Sequence, residues 1–230
     1  TQVSAWIENA DCYDDDTIRD LSNPVIPLSQ GCALTVLHGN LCPNGAVMKS
    51  SAASSYLRHH VGPALVFDTH QQLSEQIDSP ELNVTKDTVI ILRNAGPVGG
   101  PGMPEWGNLP IPKKLLQQGV TDMVRISDAR MSGTHYGTCI LHVAPEAAVG
   151  GPLALVQTGD LIELNIEAGS LNMLVDDTEL AQRREALKPT HQTFSRSWSA
   201  LYQQHVTQAD EGCDFDFLQS GSDVPEPPIF

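Results

Sequence analysis

Basic residues are scarce in this chain: Lys and Arg number 13 against 28 Asp and Glu, for a formal net charge of −15 over 230 residues. A surface of that sign repels phosphate backbones, so nucleic acid is excluded as an expected partner. Long apolar runs are also missing, and without a window of about eighteen apolar residues no membrane-spanning helix is expected. The N-terminus has Asp14–Asp16 where a signal peptide would have a basic start and an apolar core. Paired cysteines are absent as well. Cys12, Cys32, Cys42, Cys139 and Cys213 are an odd number, widely spaced and without a CxxC. That arithmetic argues against a disulfide framework or a closed zinc site and predicts reduced thiols in an intracellular, cytoplasmic protein, unless a mitochondrial address preceded Thr1. HExxH, HxH, GK[ST], GxGxxG and GxSxG do not occur, which removes the zinc-protease, P-loop, dinucleotide and nucleophile-elbow readings.

What is present is a series of short apolar runs punctuated by glycine and proline. ALTVL (33–37), AVMK (46–49), ALVF (64–67) and TVIIL (88–92) are of strand length and rich in β-branched residues. DMVRIS, TCILHV, PLALV, LIELNI and LNMLV continue the series. Thr69 and Gln72 have capping-box spacing, which predicts a short helix over THQQLSEQI. Pro112 before KKLLQQ and Gly119 after it predict a second. Strands at this density point to a β-rich barrel or sandwich rather than a doubly wound sheet. Residues 1–30 read as an irregular lead-in or linker, 31–177 as the β-rich domain, and 178–230 as a helical tail with a flexible end. The tail helices are expected over 178–187, capped by Thr178 and stopped by Pro189, and over 197–209, with Trp198, Leu201, Tyr202 and Val206 on one face.

Chemistry concentrates in residues 94–133. GPVGGPGMPE (96–105) can approach a ligand closely with its backbone, and its one charge, Glu105, suits a hard divalent cation or is simply an exposed acid. Ser132 in SDARMSG needs a cation, amide donors or a metal to act as base or nucleophile. Arg130 can supply charge there or pair with Asp128. Lys49 meets an anion or is solvated; His59 and His60 fall in a segment expected to be exposed, and His142 reads as a satisfied core histidine.

Taken together, GNLCPNGAVMK, GPALVF, GPVGGPGMPE, SDARMSG, HVAPEAAVGGPLALVQTGD and QADEGCDFDFL resemble, in order and spacing, the C-terminal domain of dihydroxy-acid and sugar-acid dehydratases, from about residue 22 to 218. SDARMSG followed by APEAAVGG is similar to the sugar-acid branch acting on arabinonate, xylonate or related aldonates, whereas the branched-chain amino-acid enzyme typically reads TDGRFSG.

The resemblance implies an α/β, β-rich fold: a swivelling β-barrel-like β/β/α domain with C-terminal helices. It implies loss of water from a 2,3-dihydroxy acid to give a 2-keto-3-deoxy acid, with Mg2+ and an iron-sulfur cluster (2Fe-2S or 4Fe-4S). On it, Glu105 is a magnesium ligand, Ser132 the base at C2, and Gly133 and Thr134 contact substrate. The cluster ligands and remaining magnesium ligands are expected in an N-terminal domain outside this chain, without which the fragment is inactive. A homo-oligomer, dimer or tetramer, is expected. A branched-chain dihydroxy-acid dehydratase and a noncatalytic binding or assembly domain are the alternatives.

Overall fold

The computed structural model describes residues 34–133, 136–188 and 191–218. The expected lead-in at 1–30, Pro189 and the end of the tail lie outside them. Eight strands form one mixed sheet: β1 (Thr35–Leu37), β2 (Gly45–Met48), β3 (His59–Phe67), β4 (Val89–Leu92), β5 (Arg125–Ser127), β6 (Cys139–Ala144), β7 (Leu161–Asn165) and β8 (Ser170–Met173). Their order is β1-β2-β6-β5-β4-β3-β7-β8. The central β3-β4-β5-β6 run is parallel, and the flanking pairs are antiparallel.

The length of β3 bends this sheet into a barrel. Its first half, His59–Pro63, pairs with β7, while its second half, Ala64–Phe67, pairs with β4. The two ends of the sheet then meet through His38, whose N–H donates to Gly169 O at 2.9 Å and whose carbonyl accepts from Leu171 N–H at 2.9 Å. The sheet is thereby nearly closed into a barrel, in line with the expected β-rich α/β class.

Side chains alternate across the strands, so β4 feeds two cores. Val89 and Ile91 join Leu37, Met48, Ile126, Ile140, Ile162 and Leu171 inside the barrel. Ile90 and Leu92 face outward, where Leu73, Ile77 and Leu115 cover them. Helix α1 (His70–Gln76) starts where the capping spacing predicts: the Thr69 hydroxyl accepts from Gln72 N–H at 3.1 Å. Helix α2 (Lys113–Leu116) follows Pro112 and ends before Gly119, whose φ of +85° favours glycine.

Several expectations are corrected. PLALV is a 3-10 helix, Pro152–Leu155, and not a strand. Pro152 has no N–H for a ladder, and Leu153, Leu155 and Val156 are buried in the barrel core instead. Helix α3 (Asp177–Ala186) is capped by Asp176, which accepts from Thr178 N–H at 2.8 Å, so Thr178 is not the cap. Helix α4 (Trp198–His205) is shorter than predicted and buries Ala200, while Trp198 and Leu201 remain exposed. Trp198 and Tyr202 pack edge-on against Phe215 of the returning tail. His59 and His60 belong to β3: His60 is buried with Nε2 2.9 Å from Asp87 O, and His59 is exposed beside Glu163.

Candidate active site

Because β4, β5 and β6 run parallel, the loops after them leave the barrel at the same edge, where open α/β sheets place their ligands. These loops are the glycine loop (93–107), the SDARMSG loop (128–138) and the APEAAVGG loop (144–151). Arg130 sews the first two together. Its Nε donates to Met103 O at 2.5 Å and its Nη1 to Glu105 Oε1 at 2.9 Å, while its carbonyl accepts from Gly107 N–H at 2.9 Å. The expected choice for Arg130 resolves against Asp128: its partner is Glu105, in a half-exposed pair.

Asp128 instead serves the backbone. Fully buried, it accepts from Ala95 N–H at 2.9 Å, Ala147 N–H at 3.0 Å and Asn94 N–H at 3.2 Å. Its carboxyl is pushed up to about 7, by burial first and by the charge of Glu146 second, against the downward pull of those three amides. Glu146, 1% exposed, accepts from Val98 N–H at 2.8 Å and Gly99 N–H at 2.9 Å. These loop amides therefore face buried carboxylates rather than a ligand. The glycines permit the approach: a Cβ on Gly96 would lie 2.7 Å from Glu146 Oε2, and one on Gly99 2.6 Å from Asn94 backbone.

Ser132, half-buried, lines a cavity of about 400 Å3 with Lys49, Met131, Gly133, Leu141 and His142 among its walls. Lys49 Nζ donates to Gly133 O at 3.1 Å, so this lysine anchors the serine loop. His142 is not the core histidine that the sequence suggests. The register of β2 against β6 slips at this point, and His142 takes φ +53°, as in a β-bulge that re-aims a side chain. Burial, then the Arg130 charge, holds its imidazole below its ordinary pKa and so favours the neutral form. Glu105 does not line this cavity. Glu105 and Ser132 are linked through the Arg130 segment. Gly133 adjoins Ser132 in the cavity wall, and Thr134 lies outside the described residues.

Sequence reasoning found both loops, read His142 as a core residue and missed Glu146. The APEAAVGG string carried the one available signal for Glu146, an acid on a glycine-rich loop.

A family model described as dihydroxy-acid/6-phosphogluconate dehydratase C-terminal matches residues 16–213. The chain is 70% identical over 223 residues to a 6-deoxy-6-sulfo-D-gluconate dehydratase of Pseudomonas putida, covering 97% of the chain and 38% of that relative. It is 49% identical over 232 residues to an L-arabonate dehydratase of Azospirillum brasilense, covering 96% and 39%. It is 41% identical over 204 residues to a dihydroxy-acid dehydratase of Methanoregula boonei, covering 89% and 36%. The chain thus spans under two fifths of the length of these curated relatives.

Proposed function

Since the chain belongs to the dihydroxy-acid/6-phosphogluconate dehydratase family and matches its C-terminal domain, we propose that it is the substrate-covering part of a longer hydro-lyase that removes water from a sugar acid. The observation that carries this reading is the Arg130 seam, which ties the loop of Glu105 to the loop of Ser132 at one barrel edge. Sugar acids are favoured over branched-chain dihydroxy acids because the sugar-acid relatives are 70% and 49% identical against 41%. Within that class, 6-deoxy-6-sulfo-D-gluconate is the first substrate to test.

In the proposed reaction the Ser132 alkoxide takes the proton from C2, the C3 hydroxyl leaves as hydroxide and takes that proton from Ser132 to become water, which restores the alkoxide, and the resulting enol ketonises to the 2-keto-3-deoxy acid. Gly133 and Thr134 hold the substrate beside Ser132. Lys49 fixes the serine loop through Gly133 O, and the apolar wall of Met131 and Leu141 limits water at the reacting carbon. Magnesium and an iron-sulfur cluster, when bound, supply Lewis acidity toward the acid group and the departing hydroxyl.

The residues fit part of that equipment. Among the described residues no three His, Cys, Asp or Glu gather as a metal centre. Glu105, half-exposed at the barrel edge, fits one ligand of a magnesium site completed from outside this chain. With Arg130 on Oε1, a cation on this carboxylate takes Oε2 or displaces the guanidinium. Cys42 and Cys139 are buried, and burial pushes the Cys42 thiol up to about 12, the opposite of a cluster thiolate. The described cysteines do not fit a cluster, whose ligands we assign to the preceding domain of a cytoplasmic dimer or tetramer. The present chain alone is then inactive. No helix of the described residues is long and apolar enough to cross a membrane.

The test uses the full-length enzyme, prepared anaerobically with cluster and magnesium, on a panel of 6-deoxy-6-sulfo-D-gluconate, arabinonate, xylonate and a branched-chain dihydroxy acid. Turnover of sugar acids is expected, and Ser132→Ala lowers it by about 100-fold or more on every one of them. Retained turnover would remove Ser132 from the mechanism. Turnover of the branched-chain acid alone would move the protein to the other branch, and no turnover of any acid would favour an assembly domain.

A further inference from the structure

We propose that the tail segment 191–218 is a positioning element for the Glu105 loop, acting through Gln208 and Glu146 and seconded by Gln203. The functional meaning given to Glu105 rests on the reading above; the mechanical part does not. Gln208 and Glu146 form a reciprocal pair. Glu146 N–H donates to Gln208 Oε1 at 2.9 Å, and Gln208 Nε2 donates to Glu146 Oε1 at 2.8 Å. The same Glu146 carboxylate receives Val98 and Gly99 N–H. Gln203, five residues earlier in α4, donates from Nε2 to Val98 O at 2.9 Å, so Val98 is held at its N–H by Glu146 and at its carbonyl by the tail.

A buried acid beside a second buried acid is an expensive way to hold a loop, since each charge loses its water and the two repel. Glu146 is 1% exposed and Asp128 0%. Among the described residues the donors to the Glu146 carboxylate are amide N–H groups, and one of them comes from Gln208. Removing that donor leaves a buried oxygen short of a partner and loosens its hold on the loop. From Gly99 the chain closes tightly, Gly100 N–H on Gly96 O at 2.8 Å and Met103 N–H on Gly100 O at 2.7 Å, and Glu105 follows two residues later. A shift at Val98 and Gly99 is thus passed along a loop with little slack. Partners that orient a metal ligand from behind have effects of this kind, about 10- to 100-fold in metal affinity.

The experiment is done on the full-length, cluster-loaded enzyme with Gln208→Ala, Gln208→Glu and Gln203→Ala, beside Glu105→Ala as reference. Gln208→Glu keeps the size and the acceptor but, when ionised, cannot donate and adds a like charge beside Glu146. Two quantities are read: hydrogen exchange of peptides covering 94–105, and the magnesium concentration giving half-maximal rate, set against the substrate KM. We expect faster exchange in 94–105 for all three glutamine variants. We also expect a half-saturating magnesium concentration raised by about 10-fold or more in Gln208→Ala and Gln208→Glu, with KM changed far less. Unchanged exchange in 94–105 would overturn the proposal. So would a magnesium requirement left untouched by the glutamine variants while Glu105→Ala raises it. If Glu105→Ala itself leaves that requirement unchanged, the metal reading of Glu105 fails, and exchange alone decides the clamp. Gln203→Ala removes the Val98 contact together with Gln203's bonds to Gln192 O and Phe194 N–H, leaves the Gln208–Glu146 pair in place, and keeps the test open if Gln208→Ala does not fold.

Discussion

Asp128 is fully buried and accepts backbone N–H groups from two loops. Its folded-state pKa of about 7 stands above the ordinary 3.8, so between those values the folded protein holds a proton that the unfolded chain has released. Stability from this group is therefore full below pH 4 and falls as pH rises toward 7, by an amount on the order of a few kcal/mol. Asp128→Asn cannot titrate. It also turns an amide NH2 toward backbone N–H groups, which costs about 1–3 kcal/mol. The variant is thus expected to be less stable than the parent at pH 5, with the gap narrowing by pH 8. Urea unfolding at the two pH values measures this, and a gap independent of pH would show that Asp128 is ionised throughout. The same residue shows where reading the sequence stops. Glu105 and Ser132 stand out because they are lone reactive groups in unusual strings. The partner of Asp128 is chosen by burial, and nothing in SDARMSG says that the aspartate turns inward to amides while Arg130 turns outward to Glu105.

Secondary elements were legible where a periodic pattern met a clear stop. The TVIIL, TCILHV and LIELNI strands and the α1 and α2 helices all lie where propensity, capping and glycine agree. PLALV misleads because an apolar run of five reads the same whether a strand or a 3-10 turn buries it, and the proline decides only once the neighbouring ladder is known. Helix α3 is a different case, since none of its residues is buried and propensity alone would not hold it to the barrel. Its anchor is Arg183, which donates to Asp160 Oδ2 at 2.5 Å and Oδ1 at 3.0 Å, to Leu155 O at 3.1 Å and to Glu179 at 2.9 Å. Both members of the Arg183–Asp160 pair are about nine-tenths buried, with side chains 12% and 11% exposed. A two-pronged pair in that setting resists screening, and removing one partner leaves the other charge stranded. Arg183→Ala is expected to cost about 3 kcal/mol and to release α3, seen as a lower Tm with faster amide exchange confined first to residues 177–187. An exposed-pair cost below about 1 kcal/mol would mean that α3 is held by Leu180 and Leu187 instead.

At the scale of the whole molecule, the site depends on the barrel closing, because the parallel strands that aim the three loops are central only if both flanks are held. One flank is β2-β1 and the other β7-β8, and they meet where His38 bonds to Gly169 and Leu171. Sequence patterning gives the strands and their faces but not this seam, which joins residues more than 130 positions apart through one residue that carries no strand pattern of its own. Asn40 reinforces it, donating from Nδ2 to Met173 O at 2.8 Å and accepting from Met173 N–H at 2.7 Å. Between them lies Gly39, where a Cβ would fall 2.0 Å from Leu171 O and 2.6 Å from Asn172 Oδ1. The Asn172 side chain can yield but the Leu171 carbonyl is backbone and cannot, so an added methyl must part β1 from β8. Gly39→Ala is therefore expected to destabilise by roughly 2–4 kcal/mol and to speed amide exchange in 35–41 and 169–173 well before the β4-β5 core. If the seam matters to the site, catalytic rate in the full-length enzyme falls while the 94–105 peptides remain as protected as in the parent, because their own clamp is built from Glu146 and Gln208 and not from the seam residues. Equal protection of 169–173 in variant and parent would mean that the two sheet ends are independent and that the barrel is functionally open.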